Sequence, residues 1–490
     1  MKRLRLGNGA ATNSVLLTFV QVITTLLGLI VTKLLSVNFS LEEYGTYSQA
    51  LLVTTTVTSL SILGLTNAIN YFYNRTTDET QQEIYLSTIF TIQYVVGTVC
   101  GILVIVFRGG IAQYFANDRL KNILVIVAFT PFLTNLIQMY QTLFVSIGKA
   151  KVIAIRNLFV SLIRLTAVII ACYVLNNIVT VLLVILGLDI VQVAYFSILF
   201  TKYRHPIRIR NANSNLIGEI LHFSIPMAIY VLTNSLSRDI DKYVVSAFSN
   251  TETLAIYTNA AKVLPFDMLT ASLITVLVPI ITRYINSKQH VESQKVFKLY
   301  LRVGYILTCT FVGGAIAVSE QLMLFLYDRK YLVGLPIFIV YLFIDMIRFA
   351  NVTTILSGAG KTKTLMSISV SMLLANTVLN IIAFKTVGLI GPALVTLILT
   401  MVMTLALLHF GAKEINCTIK SLFDFKEIGI IAFEILVVGI GCHFASNALL
   451  KLGVSYAINL IISYGLYIVI MCSINSKRII GCLKALNAFK

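Results

Sequence analysis

Apolar runs of twenty or more residues recur from one end of this 490-residue sequence to the other, separated by short polar stretches. A run of that length matches a helix that crosses a hydrocarbon core of about 30 Å. An unpaired backbone amide in lipid costs several kcal/mol, so a spanning segment must be a helix or part of a closed barrel. Barrel strands alternate in polarity and last about ten residues, unlike these runs. The sequence therefore predicts an all-α integral membrane protein.

The apolar runs predict about fourteen transmembrane helices. Charged residues make up only 12% of the sequence, about half the share of a soluble domain. Every connecting loop is short, so we expect no soluble catalytic domain on either side of the membrane. The predicted spans are 13–37, 46–73, 85–107, 122–146, 157–176, 178–201, 217–248, 257–281, 299–319, 334–357, 365–385, 389–410, 428–449 and 455–474.

The net charge of +18 follows the topology of these spans. If the N-terminus is cytoplasmic, 24 of the 38 Lys and Arg residues fall in cytoplasmic segments and 7 in outer loops. This asymmetry is the positive-inside bias of membrane proteins. It predicts that both termini are cytoplasmic, and it accounts for the positive charge without nucleic acid.

The chain contains an internal repeat. The segment 33–50 returns at 242–260, and GKAK at 148–151 returns as GKTK at 360–363. Six predicted spans separate the copies, so the two halves have the same orientation. Parallel repeats of this kind are typical of transporters. We predict two pseudo-symmetric six-helix lobes, residues 1–210 and 211–415, and a third region, 416–490, with two C-terminal helices and a cytoplasmic tail.

Cationic side chains occur inside the predicted spans. A charge at a helix centre costs about 2.5–3.5 kcal/mol, so such residues usually face an interior cavity. In the seventh span, Tyr230, Asn234 and Arg238 share one helix face. The predicted spans hold six cations that we interpret as a substrate-binding cavity for an anionic cargo: Lys33, Arg164, Arg238, Lys242, Lys262 and Arg348.

Some of these cations have a simpler explanation. Lys33, Lys242 and Lys262 lie near span ends, where a lysine can extend its ammonium group to the interface. Arg348 follows Asp345 at a helical spacing and could form a structural ion pair with it. Arg164 and Arg238 lie deeper, which favours a role in the cavity. The carboxylates that could balance the charge or carry a coupling ion are Asp239, Asp241, Asp267 and Asp345.

Prolines lie beside the charge cluster. Pro226, Pro265 and Pro279 fall in the seventh and eighth predicted spans, where each removes a backbone hydrogen bond and favours a kink. Each one could be a static kink. Together they mark this pair of spans as the candidate hinge for alternating access.

Catalytic and metal-binding motifs are not evident. The seven cysteines have no paired spacing, and the five histidines form no ligand pattern. No GxxxxGK[ST] loop for ATP is present. We therefore expect no catalytic residues, no metal and no cofactor.

Several segments, in this order and spacing, resemble the polysaccharide-transporter (Wzx-type) flippases of the multidrug/oligosaccharidyl-lipid/polysaccharide (MOP) exporter superfamily. The resemblance covers nearly the whole chain. It rests on GNGAATN at 7–13, LEEYGTY at 41–47, GLTNAINYF at 64–72, GKAK at 148–151, FSIP at 223–226, DK at 241–242, YTNAAK at 257–262 and PIITR at 279–283.

This resemblance implies a flippase of the bacterial inner membrane with two six-helix lobes around a central cationic cavity. It implies movement of undecaprenyl-pyrophosphate-linked oligosaccharides to the outer leaflet, for O-antigen, capsule or exopolysaccharide synthesis. A proton or sodium gradient rather than ATP would drive transport. The implied partners are the lipid-linked oligosaccharide and the membrane, with a polysaccharide polymerase and a chain-length regulator as protein partners.

Three other functions are open at this point. A lipid II flippase would use the same mechanism. A MATE-like cation-coupled drug exporter would favour an acidic, aromatic cavity, whereas the embedded charges here are mainly cationic. A membrane glycosyltransferase or ligase would need a substantial outer loop with acidic residues, which the sequence lacks.

Overall fold

The computed structural model describes residues 8–204, 207–267, 280–281, 283–285, 287–350, 353, 355–356 and 359–487. All regular secondary structure in these residues is helical. Thirteen of the helical segments are long and apolar enough to cross a membrane, and each coincides with a predicted span. Of the predicted eighth span, 257–281, residues 268–279 lie outside the described residues. The prediction of an all-α, multi-span membrane protein is confirmed.

Contacts divide the chain into two compact units, Met1–Ala255 and Ile256–Lys490. The predicted lobe boundary at 210/211 rests on the repeat, a different criterion, and stays a prediction. The first unit contains α1 (Asn8–Asn38), α2 (Leu41–Ser61), α3 (Leu65–Ala68), α4 (Glu79–Tyr114), α5 (Leu120–Val127), α6 (Thr130–Ser146), α7 (Ala150–Ile170), α8 (Ile178–Tyr203), α9 (Ser214–Phe248) and the start of α10 (Thr251–Ala260).

The second predicted span is interrupted. Ser40 and Glu43 form a reciprocal capping box at the start of α2, but α2 ends at Ser61. Leu63 and Gly64 then adopt positive φ angles of 45° and 67°. A Cβ atom on Gly64 would lie 2.5 Å from the carbonyl oxygen of Ser224 in α9. Glycine is therefore required by both the left-handed conformation and the close approach of α9.

The fourth predicted span is also divided. The segment α5 ends at Val127 and α6 begins at Thr130, which places Pro131 in the first turn of a new helix. Proline fits this position because the first amide groups of a helix have no intrahelical partner. Pro131 therefore marks the start of a helix and not a kink within one.

An aromatic core holds the first unit together. Phe90 of α4, Tyr140 and Phe144 of α6, and Phe196 and Phe200 of α8 are all buried in one cluster. The rings pack against one another, and these contacts stabilise the unit beyond what the burial of apolar area contributes.

The second unit contains α11 (His290–Ala317), α12 (Ser319–Leu326), α13 (Leu335–Arg348), α14 (Thr362–Val387), α15 (Gly391–Glu414), α16 (Ile419–Leu422), α17 (Phe425–Lys451), α18 (Tyr456–Ile474) and α19 (Ser476–Asn487). Helix α11 is the central element, because it packs against α13, α17, α18 and α19. Gly313 and Gly314 allow α17 and α18 to approach α11 closely.

The repeated Gly-Lys segments fold alike. Gly148 and Gly360 have φ angles of 74° and 72°. The amide of Lys149 donates to Phe144 at 2.8 Å, and that of Lys361 donates to Leu356 at 2.8 Å. A left-handed glycine that ends a helix in this way explains why glycine occurs in both copies.

Candidate functional site

The predicted polar face of the seventh span lies on α9, a helix of 35 residues with Pro226 inside it. The Asn234 amide donates to the Tyr230 carbonyl at 2.8 Å, and Nε of Arg238 donates to the Asn234 carbonyl at 3.4 Å. The Arg238 side chain is exposed. It forms no ion pair within 4.0 Å with the side chains that the structure describes. Its charge is therefore available to a ligand.

Lys242, one turn further along α9, has a partner. Its Nζ lies 2.5 Å from Oδ1 of Asp239, and the two side chains are 16% and 21% exposed. Asp241 is buried and accepts a hydrogen bond at 2.9 Å from the backbone amide of Lys242. The charge of Lys242 is therefore compensated inside the protein, unlike that of Arg238.

Hydroxyl groups join α9 to α2. Thr56 Oγ1 lies 2.6 Å from Tyr243 Oη, and Ser59 donates to Ser235 at 2.7 Å. Tyr243 Oη also donates to the Leu52 carbonyl at 2.8 Å. These bonds satisfy polar groups that would otherwise be costly at membrane depth, and they fix the orientation of α9 against α2.

A second group of charges lies on α1, α7 and α8. Lys33 is near the end of α1, which packs along α7. Arg164 of α7 is half-buried, and its Nε is buried without a hydrogen-bond partner among the described residues. Asp189 of α8 interacts electrostatically with both Arg164 and Arg156. The two guanidinium groups and one carboxylate leave an excess of positive charge between α7 and α8.

Arg156 and Gln192 complete this group. Arg156 is 9% exposed and donates to Asn157 at 2.7 Å and to Gln192, whose amide donates to Asp189 at 3.0 Å. Arg156 lies just before the predicted fifth span, which begins at 157, whereas α7 begins at Ala150. Asp189 was overlooked, although it is the single charged residue of the predicted span 178–201.

The other predicted site residues lie in the second unit. Lys262 and Arg348 are half-buried, and Asp345 is buried and accepts a hydrogen bond at 3.0 Å from the Leu264 amide. Pro265 and Asp267 form a short 3-10 helix after α10 has ended, so Pro265 does not interrupt an α-helix. Pro279 lies outside the described residues.

The structure thus separates the predicted cations into groups. Within the first unit, Arg238 and Lys242 lie on α9, which packs against α2, α3 and α4, whereas Lys33 and Arg164 lie on the packed pair α1 and α7. In the second unit, the bond from Leu264 to Asp345 joins the segment that carries Lys262 to α13. The role of each residue toward a cargo stays a prediction.

One charged network was not predicted. Glu427 of α17 accepts hydrogen bonds from Arg302 of α11 at 2.8 and 2.5 Å, and also from Tyr305. Arg478 of α19 donates to Glu434 at 2.8 Å. The bonds of Glu427 attach α17 to α11, and Arg478 attaches α19 to α17 through Glu434 and, at 3.9 Å, through Glu427. Arg302 lies inside the predicted ninth span, and a cation in a span is a signal for a buried partner. That partner, Glu427, lies one residue before the predicted thirteenth span, so the pair could not be predicted.

Metal-ligating side chains do not cluster in the described part of the chain, where no group of three His, Cys, Asp or Glu residues could hold an ion. The described helices define a polytopic membrane protein. Comparison with solved structures supports this class. The chain resembles "Lipid II flippase MurJ, inward closed conformation", with a TM-score of 0.73, 17% identity, and coverage of 95% of this chain and 100% of that one.

Transporters of the MOP superfamily also share the fold. An inward-facing multidrug resistance MATE family transporter matches with a TM-score of 0.67 and 13% identity, over 80% of this chain and 94% of that one. A MOP superfamily transporter from Pyrococcus furiosus, described as having a binding pocket of reverse polarity, matches with a TM-score of 0.58 and 12% identity, over 83% and 94%. No curated protein sequence matches the chain significantly.

The family follows from the sequence itself. The model of the family described as "Polysaccharide biosynthesis protein" matches residues 30–336, which is more than half of the chain. The chain belongs to this family, and the resemblance stated from its motifs is confirmed. Its fold is that of the MOP transporters, in agreement with the predicted fold class.

Proposed function

We propose that this protein is a flippase that moves undecaprenyl-pyrophosphate-linked oligosaccharides from the inner to the outer leaflet of a bacterial inner membrane. Membership of a polysaccharide biosynthesis family and the MOP transporter fold support a lipid-linked cargo. The observation that carries the proposal is Arg238, an exposed cation without an ion-pair partner among the described side chains, on a membrane-spanning helix.

The chemistry of Arg238 fits a pyrophosphate headgroup. A guanidinium group donates parallel hydrogen bonds to phosphate oxygens, and such charge-assisted bonds are about twice as strong as neutral ones. In a membrane span, the cost of an unpaired arginine is offset when an anion binds. Lys242 is already neutralised by Asp239, so Arg238 is the residue of α9 that we expect to contact the cargo.

Arg164 is the second candidate contact. Its Nε–H has no partner among the described residues, and the surrounding group has two guanidinium groups for one carboxylate. The remaining predicted cations are Lys33, Lys262 and Arg348. Among the described residues, none of these three has a buried side-chain nitrogen that lacks a hydrogen-bond partner as Arg164 Nε does.

The test compares two arginines of the first unit. Arg238→Gln should abolish export of surface polysaccharide while the protein remains in the membrane, because the headgroup loses its anchor. Arg119→Gln is the matched control, since Arg119 is 64% exposed and pairs with Glu42 at 3.4 Å outside the spans, where such a pair contributes little. Normal export by Arg238→Gln would contradict the proposed role of the cation.

We propose that a proton or sodium gradient drives transport, without ATP. Asp239, Asp241 and Asp345 are engaged by Lys242 or by backbone amides, which suits charge balance within the fold. An ionophore that collapses the gradient should stop net transport. Continued net transport at zero gradient, with ATP present, would contradict the coupling.

The hinge is proposed at the contact between the second span and α9. Pro226 removes the bond that its amide would donate to the carbonyl of His222, and the left-handed break at Gly64 lies against Ser224. Two weak points in adjacent helices lower the cost of bending there. Pro226→Ala should slow transport while cargo affinity is unchanged, and a wild-type rate in this variant would move the hinge elsewhere.

A second candidate cargo is lipid II. The structural similarity to MurJ favours it, and the physical requirements, an anionic pyrophosphate and a polyprenyl chain, are the same. Complementation separates the two cargoes. Rescue of a strain that lacks its lipid II flippase would favour lipid II, whereas rescue of a strain that lacks its polysaccharide flippase would favour the first proposal. A drug exporter is less compatible with Arg238, because a cationic drug would be repelled.

A further inference from the structure

The C-terminal helix α19 has an apolar face and a basic face. Ile479, Cys482 and Ala485 pack into the apolar core of the second unit. Lys477 and Lys484 are seven residues apart, so they lie on one side of the helix, and both are exposed. Neither lysine forms an ion pair within 4.0 Å with the side chains that the structure describes. The basic face of α19 is therefore available to an anionic partner.

Ionic bonds to α17 fix the orientation of α19. Arg478 donates to Glu434 at 2.8 Å and lies 3.9 Å from Glu427. The side-chain amide of Asn475 also donates to Glu434, at 3.1 Å. The side chains of Glu427 and Glu434 are only 10% and 15% exposed, and removal of a partner from a buried charge is costly. Rotation of α19 would break these bonds, so its two lysines are held in the outward position.

The first half of α19 lies at the level of the membrane surface. Two segments long and apolar enough to span end there, since α17 begins at Phe425 and α18 ends at Ile474. Glu427 is in the first turn of α17, and both Arg478 and Cys482 interact with it electrostatically. Arg478 and Cys482 are about 6 Å apart along α19. This turn of α19 therefore stays beside the end of a span.

Exposed apolar and basic side chains occur together at this end of the second unit. Ile480 of α19 and Phe425 of α17 are 51% and 60% exposed. Lys426 of α17 and Lys420 of α16 are exposed as well, and neither forms an ion pair with a described side chain. The exposed carboxylate of Asp424 caps the start of α17. A lysine at such a boundary lays its stem along apolar surface and extends its ammonium group to polar headgroups.

We propose that the basic face of α19, with Lys426 beside it, binds the anionic headgroups of membrane phospholipids. This inference goes beyond the proposed flippase function and does not depend on the cargo. The charge bias predicts that this end of the chain is cytoplasmic, and the cytoplasmic leaflet has a negative surface potential. Ile480 and Phe425 favour a lipid over a soluble acidic partner, because they contact hydrocarbon while the lysines contact phosphate. The fixed orientation of α19 lowers the entropy lost on binding.

The test is photocrosslinking of the full-length protein in phosphatidylcholine vesicles that contain a minor fraction of phosphatidylglycerol. A benzophenone amino acid is placed at Gly481 of α19 or at Gly465 in the middle of α18, where an added Cβ atom would meet no atom within 4 Å. The probe at Gly481 should label phosphatidylglycerol at least about fivefold above its share, the factor for one lysine at an anionic surface. The probe at Gly465 should label both lipids in proportion, because it contacts acyl chains.

Charge variants identify the residues responsible. The double variant Lys477→Gln/Lys484→Gln should lose the enrichment at Gly481, whereas Lys451→Gln, at the exposed other end of α17, should keep it. Salt at about 1 M, which screens charges beyond about 3 Å, should also remove it. Labelling in proportion by the wild-type protein, or enrichment that persists in the double variant, would overturn the proposal. Loss of enrichment in Lys451→Gln would overturn it too, since net charge rather than α19 would then attract the lipid. Labelling through Gly465 verifies that each variant is inserted.

Discussion

The difference between Lys242 and Arg238 leads to a prediction that a double-mutant cycle can test. Both cations lie on α9, but only Lys242 has a carboxylate in contact, at 2.5 Å. Asp239→Asn would leave the ammonium group of Lys242 uncompensated in a site where both side chains are about four-fifths buried. Lys242→Met alone would leave the carboxylate uncompensated. The double variant removes both charges.

The expected magnitude follows from the burial. Removal of one partner from a buried ion pair costs about 3–5 kcal/mol, whereas replacement of both is close to neutral. Because these side chains retain some exposure and Asp241 lies nearby, we expect about 3 kcal/mol for either single variant. For a unit of about 250 residues, this corresponds to a fall in the melting temperature of roughly 6–12 °C. The double variant should recover most of this loss.

The assay is thermal unfolding of the detergent-purified protein. The measured quantity is the loss of its monodisperse peak as the temperature rises. Export of surface polysaccharide is measured for the same variants. The double variant should retain export, since Lys242 does not carry an available charge, and Arg238→Gln should lose export at wild-type stability. Additive losses in the double variant would refute the stabilising pair. Loss of export in the stable double variant, with normal export by Arg238→Gln, would refute the assignment of the cargo charge.

Three further predictions concern the fold. Gly64→Ala should destabilise the protein by at least about 1–2 kcal/mol, because Gly64 has a left-handed φ and its Cβ atom would lie 2.5 Å from Ser224. The control is Gly218→Ala in α9, which should be neutral or stabilising because its Cβ atom would meet no atom within 4 Å, and equal melting temperatures of the two variants would contradict this prediction. Glu427→Gln should lower the free energy of unfolding by about 2 kcal/mol and loosen α19, which is measured as faster proteolysis of the C-terminus. Glu292→Gln breaks an exposed pair with Lys295 and should lower it by less than about 1 kcal/mol. The same loss of stability in both variants would show that burial of the pair is irrelevant. A reporter fused after Asn475 should be active only in its cytoplasmic form, and activity outside the cell would refute the predicted topology.

The sequence predicts the helices well because the membrane leaves few alternatives. Long apolar runs must form helices in lipid, so thirteen predicted spans coincide with observed helices. The breaks within them were less predictable. The left-handed turn at Leu63–Gly64 depends on the approach of α9, a contact between residues far apart in sequence, and an apolar run carries no signal for it.

The candidate site was predictable only in part. Spacing along one helix identified the face with Asn234 and Arg238. Which of the two cations, Lys242 or Arg238, pairs with Asp239 depends on side-chain geometry. Arg156 was missed because helix ends extend beyond the apolar run. Asp189 could have been found, since any carboxylate within a span is expected to face the protein interior.

We propose that Arg238 enables the protein to move a polyprenyl-pyrophosphate-linked oligosaccharide between leaflets. The direct measurement is translocation of a fluorescent lipid-linked oligosaccharide in vesicles that contain the purified protein and an ion gradient, with an impermeant quencher outside. We expect protein-dependent translocation that Arg238→Gln abolishes and Arg119→Gln preserves. The absence of translocation by the wild-type protein, or an unchanged rate in Arg238→Gln, would contradict the claim.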